Sequence, residues 1–419
     1  MSATGTIDGT ARDAISSACA EVHDAEQADQ VDGVAPALVA RPVDTAQVAE
    51  VLRAAAAHGL TVVPRGRGTK MSWGTPPTRA DVLLDVSALD QVLDHQAGDL
   101  IVAAQAGTRL SDVQSVVAEA GQRLALDETV PGASIGGTLA ANTSGPRRVA
   151  IGSARDLLIG ITVVRADGVV AKAGGRVVKN VAGYDLGKLM IGSAGTLAVI
   201  TDATFRLHPL PVAHRWVIAE ATDPEQAQDL VQSVLHAQAV PAAIEVDWAD
   251  GHGSVSVLLE GREEGVVGRT ATVRSLLGDT STESADAPAG GSTYPWDLGA
   301  SGDQRATALK LTFALSGLSG VLAAATESGA PLRGSAGSGV AYAAIAPGTP
   351  VATVGAAVDR LRRACTQHGG SAVVVDGPAA VKAAVDVWGP IPALDLMQRV
   401  KHQFDPDHRL APGRFVGGI

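Results

Sequence analysis

Apolar and polar positions along this chain recur with two periods, and the switches between them divide it into short strands and helices. VARP at 39–42 reads as the end of a strand. Behind it, Val48, Val51, Leu52 and Ala55 recur at helical spacing, with Asp44 or Thr45 placed to cap the first turn and His58-Gly59 to end the last. TVVPRG at 61–66, VLLDV at 82–86 and LIVAAQAG at 100–107 are strand patterns, and a helix runs from Ser111 to Gly121. The segments 159–164 and 169–172, joined by Asp167-Gly168, predict a hairpin.

The pattern changes at HPLPVAH, 208–214, where two prolines mark a boundary. Beyond it, strands are expected at 216–220, 244–248, 254–259, 309–315, 340–345 and 371–375. Helices are expected at 225–236, 266–277, 317–328 and 350–368, and 279–303 is a polar loop rich in Gly, Ser, Pro and Asp. No internal repeat stands out. The expected fold class is α+β. It comprises an N-terminal helical extension over 1–34, a first α+β domain over 35–211, a second, ferredoxin-like α+β domain over 212–394, and a C-terminal helix and loop over 395–419.

Composition narrows the function. Of 419 residues 46% are apolar and 18% charged, enough to bury a core. The net charge of −11 argues against a nucleic-acid surface, which needs cations to neutralise phosphates. Two cysteines, Cys19 and Cys365, cannot build a four-Cys iron–sulfur or zinc site. The N-terminus lacks a secretory pattern, and no uninterrupted apolar run is long enough to span a bilayer. The expectation is a cytoplasmic protein without a transmembrane segment, with attachment to the inner face of a membrane through partners left open.

Glycine is abundant, 48 residues against 12 aromatics, and it clusters in three places. The first is Pro64-Arg65-Gly66-Arg67-Gly68-Thr69-Lys70, directly after a strand, where alternating glycines let several amides converge on one anion. The second, PGASIGGTLAANTSG at 131–145, is built almost wholly of small residues that let a flat ligand lie against backbone. The third, GYDLGKLMIGSAGTLAVI at 183–200, ends in an apolar strand. Neither a P-loop nor a G-x-G-x-x-G dinucleotide fingerprint occurs: Leu189 follows Gly187-Lys188, and the Gly66/Gly68 pair continues with Met71.

Together, PRGRGTK, PGASIGGTLAANTSG and the segment from GSARDLLIGITVVRADG to GTLAVITDATFRLHP resemble the FAD-binding domain of the vanillyl-alcohol oxidase/PCMH flavoprotein superfamily. GGRVVKNVAGYDLGKLMIGSAGTL is especially similar to the FAD-binding E subunits of bacterial glycolate oxidases. The closing KHQFDPDHRLAPGRF fits the same pattern. The resemblance covers roughly 35–211 and 395–415. It implies a PCMH-type domain of two α+β subdomains holding FAD, followed by a cap. Carried over position by position, it assigns cofactor binding to Arg65, Gly66, Arg67, Gly68, Thr69 and Lys70. It adds Gly132, Ser134, Ile135, Gly136, Gly137, Thr138, Asn142, Gly145, Gly195 and Ile200. Arg67 stands where the family commonly has glycine, and Ala411 where it has Asn.

Thr69 occupies the neighbourhood of the His that often attaches flavin covalently in this superfamily, so non-covalent FAD is expected. The resembled catalytic chains carry an H-x-G-D-G-N-x-H metal stretch, which has no counterpart here, so no metal site is expected. Arg333, Lys401 and Arg414 are the weak candidates for cations near a substrate anion. The resemblance implies a FAD-dependent oxidoreductase subunit acting on a small 2-hydroxy acid, with a second flavoprotein subunit and an iron–sulfur subunit as partners. A self-sufficient oxidase or dehydrogenase and a non-catalytic scaffold are the alternatives.

Overall fold

The computed structural model describes residues 7–175, 185–291 and 293–419. The chain forms two compact units. The first comprises Met1–Thr143, Ser153–Pro209 and Ile391–Ile419; the second comprises Ser144–Gly152 and Leu210–Pro390.

The first unit contains two principal sheets. Strands β1 (Glu21–Asp24), β2 (Leu38–Arg41), β3 (Val62–Arg65) and β4 (Val82–Asp85) form one sheet in the order β1-β2-β4-β3, parallel except for β1. Strands β5 (Val92–Gln96), β6 (Ile101–Gln105), β8 (Leu158–Arg165), β9 (Val170–Gly174) and β10 (Ala198–Arg206) form an antiparallel sheet in the order β5-β6-β10-β8-β9. Two-residue strands β7 (Gln122–Arg123) and β11 (His208–Pro209) pair separately. The helix Thr45–Ala57, capped by Asp44 on the Gln47 amide, buries Val48, Val51, Leu52 and Ala55. These side chains share one core with Leu38, Val62, Val82 and Leu84 of the first sheet and Val164 and Val199 of the second. Burying each such valine or leucine side chain contributes roughly 1.5–3 kcal/mol.

The C-terminal segment is stitched to the strand that carries the first glycine loop. Val62 N–H donates to Arg409 O at 2.8 Å, and Ala411 N–H donates back to Val62 O at 2.9 Å. Arg414 donates to the carbonyls of Met71 and Trp73 at 2.9 and 2.7 Å. Ala411, fully buried, sits at φ 43, the left-handed region that Asn adopts more readily than Ala.

The second unit is one antiparallel sheet of eight strands: β12 (Ala213–Ala221), β13 (Ala243–Ala249), β14 (His252–Gly261), β15 (Thr282–Ser284), β16 (Thr307–Thr312), β17 (Leu332–Ser335), β18 (Val340–Ile345) and β19 (Ser371–Asp376). Their order is β15-β12-β14-β13-β17-β18-β16-β19. Each half is a β-α-β-β-α-β unit, with helices Pro224–Leu235 and Glu263–Leu277 in the first and Leu318–Glu327 and Val351–Gln367 in the second. The second strands of the two halves, β13 and β17, pair at the middle, so the strand order reads the same from either end. This is a repeat, contrary to the expectation of none. Its two halves keep the hydrophobic period and the topology but not the residues. All four helices pack on one face through Val217, Val246, Trp248, Val257, Leu309, Leu332, Ala343 and Val374.

Candidate functional site

The first unit brings the three glycine segments together. Gly66 ends the β3 turn so close to Ser134 that a Cβ there would lie 2.3 Å from Ser134 Oγ. That Oγ caps the helix Ile135–Ala141 by accepting from Gly137 N–H at 3.2 Å. Gly195, at φ 75, approaches Pro64 so closely that a Cβ would lie 2.7 Å from the Pro64 ring. Gly192 N–H donates to Leu139 O and Ala194 N–H to Ala140 O, each at 2.9 Å, tying the third segment to the second. Asn142 ends the intervening helix in the left-handed conformation. Ile200 lies on β10 beside a bulge. Gly132, at φ 73, accepts the turn before Ser134, and its N–H donates to Glu128 Oε1.

A fourth segment escaped the sequence reading. Gly136 N–H donates to Ala106 O at 2.8 Å and Ile135 N–H to Thr108 O at 2.9 Å, so 106–108 packs against the second glycine segment. Gly107 leaves no room for a side chain, since a Cβ would lie 2.3 Å from Val86 O. The signal was the small-residue end of LIVAAQAG, which by itself reads only as a strand terminus.

Charge in this region is arranged around the first loop. Arg65 is clamped between Asp29 and Asp85, each at 2.8 Å. Burial pushes the Asp29 carboxyl up, but the Glu26 amide and the Arg65 guanidinium outweigh it and hold the group below the usual carboxylate range. Arg65 therefore fixes the loop, and an anion would meet the backbone beyond it. Arg67 donates to Gly107 O at 2.9 Å and lies 3.4 Å from Asp90. Lys70 donates to Thr69 Oγ1, and burial pushes its ammonium down to about 8 despite the opposing charge of Glu128. Thr138 Oγ1 is buried without a hydrogen-bond partner. Converging glycines and, among the described residues, a lysine with no carboxylate in contact and an orphaned hydroxyl fit a flat ligand with an anionic bridge.

Other residues singled out from the sequence belong to the second unit or are buried in an ion pair. Gly145 belongs to the second unit, as does Arg333. Arg333 is held by Asp247 at 2.9 Å and donates to Thr293 Oγ1 at 2.9 Å. Lys401 is fully buried and donates to Asp405 at 2.7 Å and to the carbonyls of Thr196 and Leu410. Part of the segment GGRVVKNVAGYD, residues 176–184, lies outside the described residues. Among the described residues, no group of three or more His, Cys, Asp and Glu is placed to hold a metal ion, and no helix is long and apolar enough to cross a membrane.

Comparison with known proteins bears on the same segments. Over 211 residues the chain is 32% identical to glycolate oxidase subunit GlcD of Bacillus subtilis, covering 50% of this chain and 45% of that one. It is also 32% identical over 219 residues to glycolate oxidase subunit GlcE of Escherichia coli, covering 52% of this chain and 59% of the relative. The chain thus spans about half the length of the curated relatives it matches. The structure of p-cresol methylhydroxylase with substrate bound superposes with a TM-score of 0.75 at 15% identity, covering 98% of this chain and 97% of that one. The α+β, PCMH-type fold expected from the sequence is borne out. Residues 36–174, which hold the first two glycine segments and the 106–108 turn, match the family described as FAD binding domain, and FAD is the cofactor that these residues fit.

Proposed function

We propose that the chain is a FAD-dependent oxidoreductase acting on a small 2-hydroxy acid, as an E-type FAD-binding subunit of a glycolate-oxidase-type complex. The observation that carries this reading is the convergence of four backbone segments on one site, three of them within 36–174. The relatives named glycolate oxidase subunits support the substrate class and the complex. Bound FAD would supply the two-electron acceptor for the hydroxyl-bearing carbon. The protein's part is to hold it: the Gly66–Lys70 loop at the anionic bridge, with Ser134–Thr138 and Gly195 shaping the surface beside it. Thr69 stands in the neighbourhood of the His that often attaches flavin covalently, so the reading takes FAD as held without a covalent bond. The reading includes a second flavoprotein subunit and an iron–sulfur subunit to carry electrons onward.

The test is anaerobic addition of glycolate and D-lactate to the FAD-loaded chain, alone and with the chains that co-purify with it. Flavin bands that bleach only with partners present support the subunit reading. Bleaching by the chain alone shows a self-sufficient dehydrogenase, and no bleaching in either preparation removes the hydroxy-acid reading.

A further inference from the structure

The eight-stranded sheet has a second face, opposite its helices, and that face carries an arrangement of side chains with no role in the packing described so far. Alternation along the strands places Lys310 of β16, Tyr342 of β18, Arg333 and Ser335 of β17, and Glu245 and Asp247 of β13 on it, since their strand neighbours Leu309, Leu311, Ala341, Ala343, Leu332, Ile244 and Val246 lie in the helix-side core. Lys310 stands directly opposite Tyr342, and Tyr342 opposite Arg333.

The loop after β15 lays two more aromatic rings here. Tyr294 stacks on Trp296 at 4.5 Å between centroids, and both meet the Tyr342 ring edge-on, at 4.6 and 6.0 Å. Three of the twelve aromatic residues of the chain are thus gathered in one place. Arg333 pins the loop through Thr293 while paired with Asp247. From the short helix Arg148–Ile151, which packs against β13, Arg148 adds a guanidinium whose charge reaches Lys310 and Tyr342.

Most acids near this face are accounted for. Asp247 is held by Arg333 and Glu260 by Arg147, while Glu245 lies close enough to act on Tyr342. Among the described residues, neither Lys310 nor Arg148 is ion-paired; Arg148 donates only to Ser144 Oγ and O. Two neighbouring cations left without counter-ions in a desolvated setting are unfavourable unless an anion joins them. Packing pushes the Lys310 ammonium down to about 8, and the charge of Arg148 adds to the effect. Among the described residues, Ser335 Oγ has no hydrogen-bond partner, in a residue 5% exposed.

We propose that Arg148, Lys310 and the Ser335 hydroxyl form a binding site for a small organic carboxylate, walled by Tyr342, Tyr294 and Trp296. A guanidinium matches the two carboxylate oxygens, an ammonium supplies a second positive charge, and the rings offer apolar faces to a short carbon chain. The apolar ring faces suit an organic carboxylate better than inorganic phosphate. The proposal rests on the hydroxy-acid reading for its natural ligand, but its geometry belongs to the second unit alone.

Titration of the FAD-loaded chain with oxamate, a monoanion that is not a hydroxy acid, tests the site by calorimetry and tryptophan fluorescence. Saturable binding is expected, weakened at least about tenfold in Arg148→Met and in Lys310→Met and largely kept in Lys310→Arg. Absence of binding to the unaltered protein overturns the proposal, as does equal binding by the Met variants or tighter binding of inorganic phosphate than of oxamate. Should Arg148→Met fail to fold, the contrast between Lys310→Met and Lys310→Arg decides alone. Oxamate binding that depends on these residues, in a protein whose flavin no hydroxy acid reduces, keeps the site and removes the hydroxy-acid reading.

Discussion

Two regions of this molecule meet the problem of holding a charged ligand in opposite ways. In the first unit the glycine-lined site is made of backbone, and most cations around it are already engaged: Arg65 by two aspartates, Lys401 by Asp405, Arg414 by two carbonyls. In the second unit the sheet face is made of side chains, and among the described residues two of its cations have no acid. A cation that is paired and enclosed holds the fold in place. One that is desolvated and unpaired weakens the fold and leaves a charge available for a ligand.

The largest effect that would break this comparison concerns Lys401. Lys401→Met leaves the fully buried Asp405 without its ion-pair partner, and unfolding stability is expected to fall by about 3–5 kcal/mol. Chemical denaturation measures it; a loss below about 1 kcal/mol would place Lys401 among the dispensable charges.

Next in size is Gly195→Ala. It puts a Cβ into a left-handed residue and against the Pro64 ring, costing about 1–3 kcal/mol. Because the contact lies at the base of the Gly66 loop, the purified protein is expected to retain less FAD, read as the ratio of flavin to protein absorbance. Full flavin occupancy would show that the loop keeps its shape without this close approach.

The smallest effect sharpens the contrast on the other side. Lys310 has a folded-state pKa of about 8 against an ordinary 10.5, so the unfolded chain holds its proton to higher pH. Its destabilising contribution is full below pH 8 and is relieved as pH rises toward 10.5. Lys70 acts in the same direction, and Cys365, pushed up to about 12, opposes both above pH 9. Lys310→Met should therefore be no less stable than the unaltered protein at about pH 7. Its advantage, on the order of 1 kcal/mol after allowing for solvent screening, should shrink between about pH 8 and 9. A variant that is less stable near neutral pH would show that Lys310 is engaged in the fold.

Legibility in the sequence follows the same division. Glycine announces itself, since few other residues tolerate the contacts at Gly66 or the torsion at Gly195, and the three glycine clusters stand out from the order of residues alone. The helix over Val48–Ala55 and the hairpin around Asp167-Gly168 are equally plain, because local periodicity and turn chemistry specify them. The sheet face is hidden. Lys310 and Tyr342 meet only through strand pairing, which no local pattern reports, and Arg148 joins them from a short helix elsewhere in the chain. Arg333 draws notice for the glycines around it, while its partners in the fold, Asp247 and Thr293, lie on other elements.

The duplicated sheet adds a consequence of its own. One register row crosses it through Glu220, Ser254, Asp247, Arg333, Tyr342 and Lys310, on β12, β14, β13, β17, β18 and β16. Exchanging the two halves maps Glu220 onto Lys310, Ser254 onto Tyr342 and Asp247 onto Arg333. Two of these three pairs of equivalent positions have thus taken opposite charge, and the row runs from an acidic half to a basic one. A symmetric scaffold has in this way acquired a direction. An anion approaching this face is repelled along one repeat and drawn toward the other, while the four helices behind it keep both halves structurally alike.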